Sequence, residues 1–357
     1  MIFGNKKKPN SFGIDVGTKS IKIVEVSQKK EGIVLENYAE LNLDFACRDF
    51  FRSFDKNNLN PDIDNISTAL RMVIAEAEIK NKIATFSLPD FATFYSSFEM
   101  PPMSKKEIDD AVGFEARKYI PLPLSEVVLD WQLIDQGGEI DKEAKTEVLV
   151  MAVPKIVIGQ YKEIAEKAGI VLDTLEAEAM ALKRSLLFRE ENSNACLVEI
   201  GYQSTNVSVI SNGFMKMSFS FDLAGKDLTN IIAERFDVDA HEAEKAKRKY
   251  GIVESEELSL KEILEPTLNN IVIKIKKIIK EIESEQGIPV ERIILSGGTS
   301  LMPGLLDYFI TFFNGVSVEL GKPFEKIGYN KSLEGKMEEI NANYAIALGE
   351  ALRNFEQ

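Results

Sequence analysis

Two short segments carry an acid, a glycine and small hydroxyl residues in the same order. Asp15-Val16-Gly17-Thr18-Lys19-Ser20 leads into Ile21, Lys22 and Ile23, and Glu199-Ile200-Gly201-Tyr202 leads into Ser204 and Thr205. In each case an apolar run ends at the glycine and a second run follows, which predicts strand, tight turn, strand. Such turns converge backbone N–H groups on one point with no side chain in the way, so they suit the oxygens of a phosphate chain. Single dipole contacts contribute only about 0.3 to 1 kcal/mol, and a cation must add the rest. Lys22, just past the first turn, is placed to meet the β- and γ-phosphates of a triphosphate. Asp15 and Glu199 supply one carboxylate per turn, which suits Mg²⁺, an ion that keeps several waters and takes few carboxylates. Tyr202 is bulkier than a phosphate turn prefers.

A third segment belongs with these. Ile293-Ile294-Leu295-Ser296-Gly297-Gly298-Thr299-Ser300-Leu301-Met302-Pro303-Gly304 reads as a buried strand, a glycine turn and a helix start, where backbone can approach a nucleoside closely. Other chemistries are excluded by composition. A single histidine rules out Ser-His-Asp and paired-histidine solutions. That residue, His241, lies among Glu242, Glu244, Lys245 and Lys247 and reads as part of a helix's polar face. Cys47 and Cys196 stand outside any disulfide or zinc spacing. The formal net charge of -14 opposes nucleic acid and anionic lipid. Lys6, Lys7 and Lys8 are followed by Pro9 and do not open a signal peptide, and no apolar run is long enough to span a bilayer.

The elements that must position these segments alternate between strand and helix. Phe12 to Val26 gives the first two strands, Gly32 to Leu41 a third, and Ile66 to Ile79 an amphipathic helix. The polar stretch Phe45 to Asp64 reads as a surface excursion. Ile83 to Leu88 is a short buried strand, and a compact module starts at Pro89. Its parts are a strand from Thr93 to Met100, a helix from the Ser104/Glu107 capping box to about Tyr119, and a hairpin of Val127 to Asp135 with Thr146 to Val153 around Gly137-Gly138. A helix from Lys155 stops at Gly169, and another spans about Glu176 to Arg189. The strand-turn-strand order then recurs from Cys196 to Ile210, hinting at a duplicated fold, and Asn212-Gly213 signals a type I′ hairpin. Leu260 to Gln286 carries one apolar stripe with a charged face that reads as solvated. Trp131 and Tyr119 read as core residues.

Taken in order, the two turns and Ser296-Gly297-Gly298-Thr299 resemble the phosphate 1, phosphate 2 and adenosine motifs of the actin, DnaK-type chaperone and sugar-kinase superfamily. That resemblance implies an α/β, two-lobed actin-like (ribonuclease H-like) ATPase fold. It also implies ATP or ADP with Mg²⁺ as cofactors. Asp15, Gly17, Thr18, Lys19, Ser20, Lys22, Gly201, Tyr202, Ser204, Thr205, Gly297, Gly298, Thr299 and Met302 would then bind nucleotide. Gly225-Lys226-Asp227-Leu228-Thr229 looks like the family's glycine turn, and Glu244 with Lys247 like its E-x-x-K helix, with Glu244 towards the ribose and Lys247 towards the adenine. Phe98-Glu99-Met100-Pro101-Pro102-Met103-Ser104 and Tyr119-Ile120-Pro121-Leu122-Pro123-Leu124 through Leu129-Asp130-Trp131-Gln132 resemble the PilM family of type IV pilus assembly proteins.

The PilM-like pattern covers nearly the whole chain. It implies a first lobe over 10–88 and 173–194, an inserted FtsA/PilM-type subdomain over 89–172, a second lobe over 195–342 and a connecting helix over 343–357. By the same resemblance the chain is an ATP-binding cytoplasmic scaffold that binds a PilN-type N-terminal peptide. Further partners would be other pilus platform proteins and the assembly ATPase, with self-association open and peripheral attachment to the membrane through proteins. Glu199, the candidate catalytic carboxylate, departs from the family's Asp, and its extra methylene predicts weak or absent hydrolysis. An FtsA-like filament protein, a small-molecule kinase and a type II secretion platform component are the alternatives. After Asn354 only Phe355-Glu356-Gln357 follow, so no FtsA-type membrane tether is expected.

Overall fold

A computed structural model describes residues 10–43, 50–55, 58–134, 146–187, 193–254 and 258–355. Strands β1 (Asn10–Val16), β2 (Ser20–Lys29) and β3 (Gly32–Asn42) run as an antiparallel meander, and the hairpin β4 (Arg52–Asp55) and β5 (Asn58–Pro61) leads to helix α1 (Ile63–Glu76). Asp62 caps α1 by accepting the Asn65 amide at 3.1 Å, and Ile66, Ala69, Leu70 and Val73 form its buried stripe. Strand β6 (Ile83–Leu88) then joins β1 in parallel. The stretch expected as a surface excursion thus holds the β4–β5 hairpin. Phe51 is buried and its amide donates to Thr18 O at 2.9 Å, a tertiary anchor that composition does not reveal. Cys47 and the Gly137-Gly138 turn lie outside the described residues.

Next come β7 (Phe94–Met100), α2 (Lys105–Ala116), β8 (Val127–Ile134) and β9 (Thr146–Pro154), which build a separate three-stranded antiparallel sheet in the order β7-β9-β8. Ser104 and Glu107 cap α2 reciprocally, and the helix ends at Ala116, three residues before the expected Tyr119, in turns that bond Lys118, Tyr119 and Ile120 amides back to it. Tyr119 is 47% exposed and stacks on Phe98 at 5.1 Å, and Trp131 is only half-buried with Nε1 donating to Asp109, so neither is the core residue expected. Helix α3 (Lys155–Ala168), stopped by Gly169 at φ 72°, buries Val157, Ile158, Tyr161 and Ile164 in the core of the first sheet. Because α3 packs there, we place the end of the inserted module at Pro154 rather than Leu172.

Strand β10 (Val171–Ala177) pairs with β6, completing a first sheet of order β10-β6-β1-β2-β3, and α4 (Glu178–Leu186) follows directly. The second half repeats the plan. Strands β11 (Ala195–Ile200), β12 (Thr205–Ser211) and β13 (Phe214–Phe221) form the meander, turned at Asn212 and Gly213 with both φ positive, at 51° and 77°. Helices α5 (Gly225–Phe236), α6 (Ala240–Tyr250) and α7 (Lys261–Gln286) precede β14 (Arg292–Ser296), and α8 (Leu305–Phe312) precedes β15 (Ser317–Leu320). The sheet order is β13-β12-β11-β14-β15, with β11, β14 and β15 parallel. Duplication is therefore visible in order and in strand direction alike.

Helices α9 (Glu334–Ile340) and α10 (Ala345–Leu352) close the chain. Helix α10 lies against α4 and β1 at backbone distance. A Cβ on Gly349 would strike the Ala181 carbonyl, and one on Gly13 would strike Ala347 O and Ala351 N. Beside this contact Glu350 is fully buried with no hydrogen-bond partner for either oxygen among the described residues. Burial, and then the Glu176 carboxylate, push its carboxyl well above the ordinary range. The folded chain thus keeps a proton that the unfolded chain has already released, and stability falls as pH rises through that interval. Glu350→Met is expected to raise the denaturant midpoint at pH 8 by the equivalent of about 1–3 kcal/mol, with the gain shrinking towards pH 4. A midpoint difference that is flat or grows on acidification would contradict this account.

Candidate functional site

The carboxyl ends of the central parallel strands of both sheets meet at one cleft, the place where open α/β sheets present ligand groups. Its volume is about 420 Å³. From the first sheet comes the turn after β1, where Gly17 N donates to Ser20 O at 2.8 Å. The second sheet supplies its counterpart, with Gly201 N donating to Ser204 O at 3.0 Å. Asp15 pairs across its hairpin with Lys22, and Glu199 pairs across its own with Asn206. Lys22 Nζ donates to Ser20 Oγ at 2.9 Å and lies 3.9 Å from Asp15 Oδ2, while Ser87 Oγ donates to Asp15 Oδ1. The ammonium is thus held over the first turn.

Buried acids crowd the floor. Glu178 opens α4 and pairs with Arg52 Nη2 at 2.7 Å; Arg52 also donates to Tyr161 Oη. Asn206 Nδ2 donates to Glu178 Oε2 and to Glu199 Oε2, each at 3.2 Å. Burial, then the charges of Glu178 and Asp15, push the Glu199 carboxyl well above the carboxylate range. Burial likewise raises Glu178, against the pull of Arg52. Gly297, at φ 87°, lets the third segment pass over Glu199, for a Cβ there would come 2.5 Å from Glu199 Oε1.

On the opposite wall Thr299 Oγ1 and the Gly225 amide both donate to Gly201 O, at 2.8 and 3.2 Å. Lys247 Nζ bonds Glu244 at 2.5 Å, Thr229 Oγ1 at 2.9 Å and Gly225 O at 3.0 Å, and Arg248 Nε reaches the other Glu244 oxygen at 2.8 Å. Burial resists the Glu244 charge, yet Lys247 and its hydrogen bonds hold the carboxyl below its ordinary value, and burial lowers the Lys247 ammonium. At the mouth, the Phe50 ring lies 4.6 Å from Lys19 Nζ, 5.2 Å from Lys226 Nζ and 6.1 Å from the Tyr202 ring. Burial raises the Tyr202 hydroxyl to about 12.

The family model for the type IV pilus assembly protein PilM matches residues 13–355. The chain belongs to the PilM family. Among solved structures, the fold is similar to that of a PilM-PilN type IV pilus biogenesis complex, with TM-score 0.84, 24% identity and coverage of 99% of this chain and 100% of that one. It is also similar to MreB5 of Spiroplasma citri bound to ADP, with TM-score 0.53 and 13% identity over 96% and 95% of the two chains. The cell division protein FtsA of Staphylococcus epidermidis is 25% identical over 259 residues, 67% of this chain and 54% of that protein. The chain spans about half the length of that relative.

Most of the expected PilM-family site residues converge on the cleft. Asp15, Gly17, Thr18, Lys19, Ser20, Lys22, Glu199, Gly201, Tyr202, Ser204, Glu244, Lys247, Gly298, Thr299 and Met302 line it. Four do not. Thr205 is fully buried and donates to Leu223 O, Gly225 is packed beneath Thr299 and Lys247, Lys226 turns to Phe50, and Gly297 contributes only its backbone bend. His241 sits half-buried on α6, in keeping with the helix-face reading. The reading missed Arg52 and Glu178. Arg52 belongs to the hairpin that polar composition concealed, and Glu178 is an unremarkable acid until β10 ends beneath the cleft. A lone buried charge is far costlier than a paired one, so Arg52→Ala is expected to lower stability by about 3–5 kcal/mol at pH 7.5. Adding Glu178→Gln should recover a substantial part, measured as coupling in a double-mutant cycle of denaturant midpoints; strictly additive losses would contradict the pairing.

Proposed function

We propose that this chain is a nucleotide-gated scaffold of type IV pilus assembly, holding Mg²⁺-ATP in the cleft and presenting a groove to the N-terminal peptide of a PilN-type membrane protein. The observation that carries the reading is the convergence of two like-built turns, at Gly17 and Gly201, on a single cleft that also receives Lys22 and the Gly297 bend. Family membership supports the pilus role, and the PilM-PilN complex supports the class of partner. The resemblance to ADP-bound MreB5 supports the ligand class. No helix among the described residues is long and apolar enough to cross a membrane.

The donor set suits Mg²⁺ held mainly through water. Among the described residues no three acidic or sulfur/imidazole ligands gather tightly enough to cage an ion, whereas Asp15 and Glu199 bring carboxylates to the phosphate end from both sheets. Burial first, and then the charges of Glu178 and Asp15, raise the Glu199 carboxyl, and a divalent cation would offset that cost. Bound there, Mg²⁺ would neutralise phosphate charge. Lys22 meets the same charge from above the first turn, and the Gly17 and Gly201 turns orient their amides around it. Glu199 already accepts from Asn206, so a water-orienting role competes with an interior hydrogen bond, and slow turnover follows.

Mg²⁺-ATP at about 100 times its Kd is expected to stabilise the wild-type protein by about 2.7 kcal/mol. Lys22→Ala should abolish the corresponding thermal shift, measured against that variant's own nucleotide-free melting point. An undiminished shift in that variant would remove Lys22 from the phosphate role. Retention of a PilN-type peptide on the immobilised protein, with and without nucleotide, tests the scaffold half; no retention in either state would reject it. The FtsA likeness favours one second reading, a filament-forming protein, which a nucleotide-dependent sedimentation assay distinguishes.

A further inference from the structure

Beneath the cleft, hydrogen bonds continue into the interior and reach the inserted module. Asn206, on β12, donates one amide nitrogen to both Glu199 and Glu178, at 3.2 Å each. The same Glu178 oxygen accepts the Asp90 amide at 3.4 Å. Asp90 follows Pro89, at the point where the chain leaves β6 for the inserted module. Its Oδ1 accepts from Tyr95 Oη at 2.6 Å and from the Ala179 amide at 3.2 Å, and its Oδ2 accepts from Ser218 Oγ at 3.3 Å.

These groups come from three bodies. Glu178 belongs to the first sheet's end, Asn206 and Ser218 to the second sheet, and Asp90 and Tyr95 to the entry and to β7 of the inserted module. Asn206, Glu178 and Asp90 are nearly inaccessible to solvent, so water cannot replace a link that breaks. The Asn206 nitrogen is the shared element: it divides its hydrogens between a cleft carboxylate and an interior one, and its Oδ1 has no partner among the described residues. Any ligand or cation that draws Glu199 into the cleft leaves the Asn206 amide to Glu178 alone. Glu178 holds Asp90 through the longest link of the chain, and that link answers first to a shift of Glu178.

We propose that Glu199, Asn206, Glu178, Asp90 and Tyr95 form a relay that reports occupancy of the cleft to the inserted module, with Tyr95 as the relay's end on β7. The relay rests on the nucleotide reading of the cleft, and it identifies the inserted module as the part of the molecule whose packing that nucleotide regulates. Asn206 is a positioning residue in this scheme and contacts no ligand.

Hydrogen exchange of the full chain, followed with and without Mg²⁺-ATP, tests it. In the wild type the amides of β7 and β9 are expected to change exchange rate by about threefold or more on nucleotide addition. Tyr95→Phe keeps the ring and removes the hydroxyl. It should leave nucleotide affinity within about twofold and the response of the two cleft turns intact, while the β7 and β9 response disappears. Ser218→Ala, which cuts a branch rather than the path, should keep the response. A wild-type chain that binds nucleotide without any change in the module overturns the relay, as does a Tyr95→Phe chain that responds like the wild type. Failure of the wild type to bind nucleotide at all overturns the reading of the cleft and the relay with it, and is recognised by the absence of change at the cleft turns.

Discussion

The contact on which the cleft depends is backbone against backbone. Helix α10 meets α4 where Gly349 faces the Ala181 carbonyl, and it meets β1 where Gly13 admits Ala347 and Ala351. Close packing of this kind leaves no room for a side chain to adjust, so the spacing between helix and sheet is set by main-chain atoms. Ala177 ends β10 and Glu178 begins α4 immediately, which means that the crossing also fixes where the Glu178 carboxylate enters the cleft. Both sheets then present their parallel strand ends towards the same space. Loosening that crossing would shift the Gly17 and Gly201 turns relative to one another even if each hairpin stayed intact.

Charge is the second constraint, and it opposes the first. Asp15, Glu178 and Glu199 are buried together, and burial, with the neighbouring acidic charges, raises the proton affinity of Glu178 and Glu199. A core of that composition survives only if each acid has a donor or keeps a proton. Arg52 meets one need, Ser87 and Lys22 another, and the Asn206 amide serves two acids at once. These donors come from parts of the chain far apart in sequence, so the floor of the cleft ties polar groups of the first sheet to Asn206 of the second. Such a network can specify a single arrangement of the lobes without adding much net stability.

Local patterns exposed the hairpins, the glycine turns, the Ser104/Glu107 cap and the Asn212-Gly213 turn, because each is decided within a few residues by backbone conformation or by one side-chain bond. The repeated strand order was legible from the same turns. What local pattern could not reveal was tertiary. The hairpin at Arg52 is held by Phe51 burial and by a bond to Thr18, neither of which leaves a trace in polarity. Helix α3 follows the module's three strands in sequence yet packs on the first sheet, a contact that order along the chain does not show. Tyr119 and Trp131 stand at the surface of a module only three strands wide, where a large aromatic ring can cover a face without being enclosed. Lys247 and Glu244 both line the cleft, and their bond to each other was invisible until the helix positioned both.

The two halves share strand order and register, and they differ in the residue that faces the acid. Lys22 faces Asp15, whereas Asn206 faces Glu199. In the proposed reading, positive charge therefore reaches the phosphate end chiefly from the first sheet, while carboxylates reach it from both. An amide in place of a lysine adds no charge, but it can bond two carboxylates together, which an ammonium next to Arg52 would do only against repulsion. The extra methylene of glutamate carries the Glu199 oxygens far enough to share that amide with Glu178. In the proposed reading, the second half has exchanged a phosphate-binding cation for a connection to the interior. The same substitution that weakens the case for rapid hydrolysis therefore supplies the link through which occupancy of the cleft can be felt elsewhere in the molecule.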